Sequence, residues 1–310
     1  MIQGSFRLAY LVGLFLFLTS LLSAQSLGLL IDGKKPHAKI PFELINNFIV
    51  IELTFDHVLP LNFIFDTGAE NTLITKKEIV DLFEYKLGRK FTVIGSDMKT
   101  PLTAYLVQSV HLSTEHTTAA HQDILVLEED YIKFGKFLGK EIHGIAAADL
   151  FKRHVVKVDY KKKELILYKK KPPIPSDFKK VKVSIEKSKL YVQSPVNIIK
   201  DEPFSAKLLI DTGADMGLLI NTKSDSLLHL PENRLPSTIG IGLGGYLEGY
   251  IGRINKLQFG TYELDNLIGN FQDDVTTAAD SLNILSRNGI IGNKILGRFT
   301  LFIDLSLIHI

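Results

Sequence analysis

A mostly β chain made of two copies of one unit, with a few short helices, is predicted by three observations. The chain matches itself at a single offset, both copies are rich in short strand-like runs, and a basic, proline-rich stretch stands between them.

The self-match organises everything else. Phe63-Ile-Phe-Asp66-Thr-Gly-Ala69 returns as Leu208-Leu-Ile-Asp211-Thr-Gly-Ala214, an offset of 211 − 66 = 145. Slid without gaps, the same offset sets Ile51 on Val196, Leu73 on Leu218, Ile94-Gly95 on Ile239-Gly240, Leu112 on Leu257, Ile145 on Ile290 and Asp159 on Asp304. Residues 49–160 are thus expected to repeat as 194–305. Lys161 to Lys163, with Lys169-Lys-Lys-Pro-Pro-Ile-Pro175, resists helix and packs poorly, which suits a linker. The expected units are 27–171 and 172–310. The second copy stops 310 − 304 = 6 residues after Asp304, so its last strand is expected to be shortened or replaced.

The strand-like runs are short, branched or aromatic, and often alternating. They include Ile49 to Phe55, Leu61 to Phe65, Val155 to Val158, Leu165 to Tyr168, Val181 to Ile185 and Leu208 to Ile210. A short helix is expected from Lys76 to Tyr85, with Thr75 as its N-cap.

Residues 1–26 read as a secretory signal peptide. Arg7 precedes an apolar run from Leu8 to Leu22, and small residues follow at Ser23, Ala24 and Ser26. The competing reading, an uncleaved anchor, has a short run against the roughly 20 residues that a bilayer requires. Export to a bacterial periplasm or beyond is expected, with no stable membrane span after cleavage. A net charge of +2 gives no field to attract nucleic acid. The absence of cysteine excludes disulfides, zinc–thiolate sites and thiol nucleophiles. The nine histidines have no metal-ligand spacing and no Gly-x-Ser-x-Gly is present, so neither a metal, a cofactor nor a serine hydrolase is expected.

The chemistry resides in Asp-Thr-Gly. A buried strand ending in Asp66 or Asp211 sets a carboxylate at a rigid edge. Gly68 and Gly213 allow a sharp turn and close backbone approach. Thr67 and Thr212 offer hydroxyls to tie one turn to the other. Two such loops across a pseudo-twofold axis bring two carboxylates together. At about 3 Å both cannot ionise cheaply, so the pair holds one proton. The ionised member takes a proton from water while the other donates to a carbonyl oxygen, which is general acid–base hydrolysis of an amide.

These motifs resemble the pepsin/retropepsin group of aspartic peptidases, especially its bacterial retropepsin-like members, over both repeats. The resemblance implies two pseudo-symmetric acid-protease-like β lobes with an active-site cleft between them. It implies a monomer, since one chain carries both aspartates, and a peptide or protein substrate. Ile290-Ile291-Gly292, followed by Asn293 to Leu296, fits the family's second signature. The first copy has Ile145-Ala146-Ala147, and the spacings agree, 147 − 66 = 292 − 211 = 81. Ala147 stands where the family has glycine. The change is expected to be tolerated, yet it leaves open a catalytically inactive peptide-binding envelope protein.

The resemblance further implies flaps that close over substrate. One is expected at the glycine-rich Gly240-Ile-Gly242-Leu-Gly244-Gly245-Tyr246 run, the other around Gly95. Gly240, Gly242 and Gly245 also spell Gly-x-Gly-x-x-Gly, but the run after them is strand-like, against a phosphate loop. Pepsin-like sites usually place Ser or Thr after the motif. Ala69 and Ala214 lack that hydroxyl, so the pair is expected to titrate higher than in acid-adapted relatives. Glu70 and Asp215 either bind the peptide backbone or stand as solvated carboxylates.

Overall fold

The computed structural model describes residues 28–94, 100–131, 133–186, 188–199, 202–273 and 287–305. The expected signal peptide and Gly95 lie outside them. Among the described residues no helix is long and apolar enough to cross a membrane.

The chain is mostly β. Alternation drives the strands: in β2 (His37–Ile45), Ala38, Ile40 and Phe42 point inward while His37, Lys39 and Pro41 point out. Asn46 and Asn47, both at positive φ, make the tight turn to β3 (Phe48–Phe55). The first repeat continues through β4 (Leu59–Asp66), β5 (Leu73–Ile74), β6 (Lys90–Ile94), β7 (Pro101–Thr114), β8 (Thr117–Leu127) and β9 (Gly144–Ala147). The hairpin of β10 (Val155–Asp159) and β11 (Glu164–Tyr168) follows, and β1 (Leu30–Ile31) pairs with β8. The second repeat holds β12 (Val183–Glu186), β13 (Lys189–Asn197), β14 (Pro203–Ile210), β15 (Leu218–Asn221), β16 (Arg234–Gly242), β17 (Gly245–Phe259), β18 (Tyr262–Gln272), β19 (Gly289–Ile291) and β20 (Leu301–Asp304).

The duplication is visible in the pairing order. The first sheet contains β3-β4-β9-β5-β8-β7-β6, and the second contains β13-β14-β19-β15-β18-β17-β16. In each, the strand ending at the aspartate is pinned by a late strand in the same parallel register, Phe63 on Gly144 and Leu208 on Gly289. Those glycines are required. A Cβ on Gly144 would strike the Leu73 carbonyl and the Phe63 ring, and one on Gly289 the Leu219 carbonyl.

The halves are joined by β20, which leaves the second repeat and pairs antiparallel with β10. Lys157 sits opposite Phe302, and 302 − 157 = 145, so the axis relating the repeats passes through this pairing. One hydrophobic core runs from Leu29 to Leu305 and draws on both halves.

Several expectations need correction. The ungapped match fails before the aspartate hairpin: Val50 pairs with Ile64, but Tyr191 pairs with Leu209. The counterpart of Val50 is therefore Tyr191, at 191 − 50 = 141, and Ile51 corresponds to Val192 rather than Val196. The connection from β13 to β14 is four residues longer than its partner. Lys161 to Lys163 is the turn of the β10–β11 hairpin, with Lys163 at φ 55°, so only 169–182 links the repeats. The short helix spans Lys77–Leu82 with Lys76 at its cap position, and Thr75 donates instead to the His143 carbonyl at 3.2 Å.

Candidate active site

Asp66 ends β4, and Asp211 directly follows β14. The two turns meet across the axis. The Thr67 N–H donates to Thr212 Oγ1 at 3.0 Å, and the Thr212 N–H donates to Thr67 Oγ1 at 3.1 Å. Each hydroxyl donates onward to the carbonyl preceding the opposite aspartate, Thr67 to Ile210 at 2.8 Å and Thr212 to Phe65 at 2.9 Å. Both threonines are fully buried. A buried group must find its partners inside the protein, so this reciprocal set fixes the two loops against each other.

The glycines explain how the carboxyls come together. A Cβ on Gly68 would lie 2.5 Å from the Asp211 Cγ, and one on Gly213 would overlap the Asp66 carboxyl. Each turn thus presses bare backbone against the opposite acid. Asp66 Oδ1 accepts from the Gly68 N–H at 2.7 Å and the Ala69 N–H at 2.9 Å, and Asp211 Oδ1 accepts from the Gly213 N–H at 2.8 Å. The two carboxyls also feel each other directly.

Burial, then the Asp211 charge, holds Asp66 well above the ordinary carboxylate range. Burial also raises Asp211, but the charges of Arg287 and Lys189 pull it back. Both carboxyls are thus held above the ordinary range, and the two titrate as one pair. Lys189 and Arg287 stand far from the motifs in sequence, so no local pattern pointed to them.

Gly292 and Ala147 occupy matching places with different surroundings. The second loop is one residue longer: Leu73 pairs with Ile145, whereas Leu219 pairs with Ile290. Its extra length lays the Met216 and Ala214 carbonyls 2.5 and 2.8 Å from where a Gly292 Cβ would be. In the first loop Ala147 is fully buried, and its N–H donates to Thr72 Oγ1 at 3.2 Å. Alanine fits there without distorting the loop.

The flanking residues divide. Ala69 packs beside Leu73 and Ile145, and Ala214 beside Met216 and Leu219. Glu70 is exposed, while Asp215 is half-buried and raised by that burial. Gly240 and Gly242 lie in β16 and Gly245 opens β17, with a hairpin turn at Leu243-Gly244 and no helix. The hairpin reaches the first half: Ile241 and Leu243 pack on the cluster of Phe48, Val50, Ile64, Phe134, Leu138 and Ile142, and Thr100 Oγ1 lies 3.5 Å from the Gly244 carbonyl. Tyr246 instead faces solvent, 66% exposed. A cavity of about 240 Å³ lined by Val196, Phe204 and Leu228 lies at the far end of the β13–β14 hairpin, away from the aspartates.

Asn293 was not singled out from its side-chain chemistry. Buried after β19, it donates to the carbonyls of Asn47 and Thr212 at 2.7 and 2.6 Å, and accepts from the Tyr160 hydroxyl at 2.7 Å. It ties the second aspartate turn to two places in the first half.

No protein-family model and no curated protein matches the chain. Among solved structures, a retropepsin-like aspartic protease from Rickettsia conorii is similar at 16% identity and a TM-score of 0.28, covering 42% of this chain and 89% of that one.

Proposed function

We propose that this chain is an exported aspartic endopeptidase that hydrolyses peptide bonds with a water held between Asp66 and Asp211. The observation that carries the reading is the reciprocal threonine lock, with each motif glycine seated on the opposite carboxyl. It sets two acids face to face, so that they hold one proton between them, the condition for one to act as base and the other as acid. The ionised member of the pair takes a proton from the water as it attacks the carbonyl carbon, and the protonated member gives its proton to the carbonyl oxygen. The tetrahedral intermediate then breaks at the C–N bond, with a proton returned to the leaving amine. No metal or organic cofactor enters.

In this reading the repeats are two lobes, with an extended peptide lying in the cleft between them. Backbone hydrogen bonds would hold it and side-chain pockets would select it. The β16–β17 hairpin serves as a flap, with Ile241 and Leu243 reaching over the first lobe. The chain works as a monomer after its signal peptide is removed in the bacterial envelope. The seat of Ala147, which needs no distortion of the loop, supports the catalytic reading over an inactive binding protein.

The test is cleavage of a mixed peptide library across pH by the wild type, Asp66→Asn and Asp211→Asn. Both variants are expected to lose about 10³-fold or more in rate. Equal product from all three would remove the catalytic claim, and binding without cleavage at any pH would leave a peptide-binding module.

A further inference from the structure

The repeats bring the same scaffold to either side of the aspartates but dress it with opposite chemistry. Strand registers fix the correspondence. Val50 faces Ile64 as Tyr191 faces Leu209. Phe48 faces Ile45 as Lys189 faces Glu186. Ile142 stands two residues before Gly144 as Arg287 stands two before Gly289, and those glycines hold the same register on β4 and β14.

In the first lobe this wall is wholly apolar. Phe48, Val50, Ile64 and Ile142 form one buried cluster with Phe134 and Leu138, and the flap residues Ile241 and Leu243 pack against it. In the second lobe the same positions are Lys189, Tyr191, Leu209 and Arg287. Alternation and cross-strand pairing set Lys189, Tyr191, Leu209 and Asp211 on one face. Arg287 interacts electrostatically with Asp211, Asp66 and Tyr191, and Lys189 with Arg287, Glu70 and both aspartates.

Among the described residues neither cation makes a side-chain hydrogen bond or ion pair. Glu186, the acid on the neighbouring strand, is taken by Lys207 at 2.7 Å, and Lys207 also lies over the Tyr191 ring. Glu70 is exposed. Two half-buried cations side by side repel each other and lose hydration. An anion entering between them relieves both penalties, and a carboxylate suits the planar guanidinium fork.

We propose that Lys189 and Arg287 form a subsite for an acidic side chain of the substrate, with no counterpart across the dyad, where the matching positions are apolar and buried. The preferred scissile bond then has Asp or Glu at one flanking position. The proposal rests on the peptidase reading and adds the substrate class to it.

Matched peptides that differ only as Glu against Gln, at each position flanking the cleaved bond, test this at about pH 6, where glutamate is ionised. Wild type is expected to prefer the Glu form about tenfold or more in kcat/KM at one position. Lys189→Gln and Arg287→Gln are expected to bring that ratio toward one, while Lys189→Arg keeps it. Cleavage by wild type with no Glu preference at any position overturns the subsite and leaves the peptidase standing. A preference that survives Lys189→Gln and Arg287→Gln together also overturns it, since another group must then read the acid. Should wild type cleave nothing at any pH, the peptidase reading falls. Binding of the same labelled pairs then decides the subsite, and equal affinity for Glu and Gln forms overturns it.

Discussion

Asp66 and Asp211 are both held above the ordinary carboxylate range by burial. Each lies against the other acid, and both feel the charges of Arg287 and Lys189. Activity is expected from mildly acidic to near-neutral pH. It declines at high pH as the pair gives up its shared proton, and at low pH as it gains a second. Arg287→Gln removes an influence that lowers Asp211, so the acidic limb of the pH–rate profile should move to higher pH. A profile confined to strong acid would contradict the assignment. The same shift bears on stability. Asp66 titrates higher folded than unfolded, so its contribution is full below the unfolded value and is lost as pH rises through the folded one. Asp66→Asn should therefore raise the melting temperature at neutral pH, with the gain fading below about pH 4. Gly292→Ala should destabilise by about 2–4 kcal/mol in urea titrations, because two backbone carbonyls crowd the new Cβ, while Ala147→Gly should cost about 1 kcal/mol or less. At this scale the sequence was most legible where chemistry is local. The aspartates, threonines and glycines announce themselves as a repeated tetrapeptide. Lys189 and Arg287 do not, because only strand pairing brings them beside the acids.

Among the elements, the aspartate turns and the β16–β17 hairpin do the positioning. Thr67 and Thr212 each hold one hydroxyl between an N–H and a carbonyl of the other turn. Thr67→Val or Thr212→Val should each cost about 2–4 kcal/mol by leaving two buried backbone groups unsatisfied. The double variant should lose less than the sum, because both changes break one network, and a double-mutant cycle measures the shortfall. Leu243→Ser should lower kcat/KM about tenfold by weakening the hairpin's seat on the first half. The strands themselves were readable from alternation, as in β3, β4, β10 and β11. The β13 register was not, since an ungapped slide sets Val196 on Ile51 and two branched apolar residues look like a match. A longer turn changes the pairing without changing the pattern. Thr75 misled similarly: a threonine before a helix reads as a cap, but a nearby carbonyl claimed its hydroxyl.

Across the molecule, the repeats are coupled by β20 on β10, by the threonine lock and by Asn293. Asn293→Leu strips the donor from two carbonyls and the acceptor from Tyr160, an expected loss of about 3–5 kcal/mol. Calorimetry should show one transition for the wild type and a broadened or split one for the variant. The duplication made this architecture foreseeable, but the bridge from β20 was hidden because a short strand carries no mark of its partner. The lock has a consequence for how the chain is made. Thr67 finds its bonding partners 143 and 145 residues later, so a growing chain cannot close its first turn before Thr212 has been made. The pair of acids therefore cannot assemble from the first repeat alone.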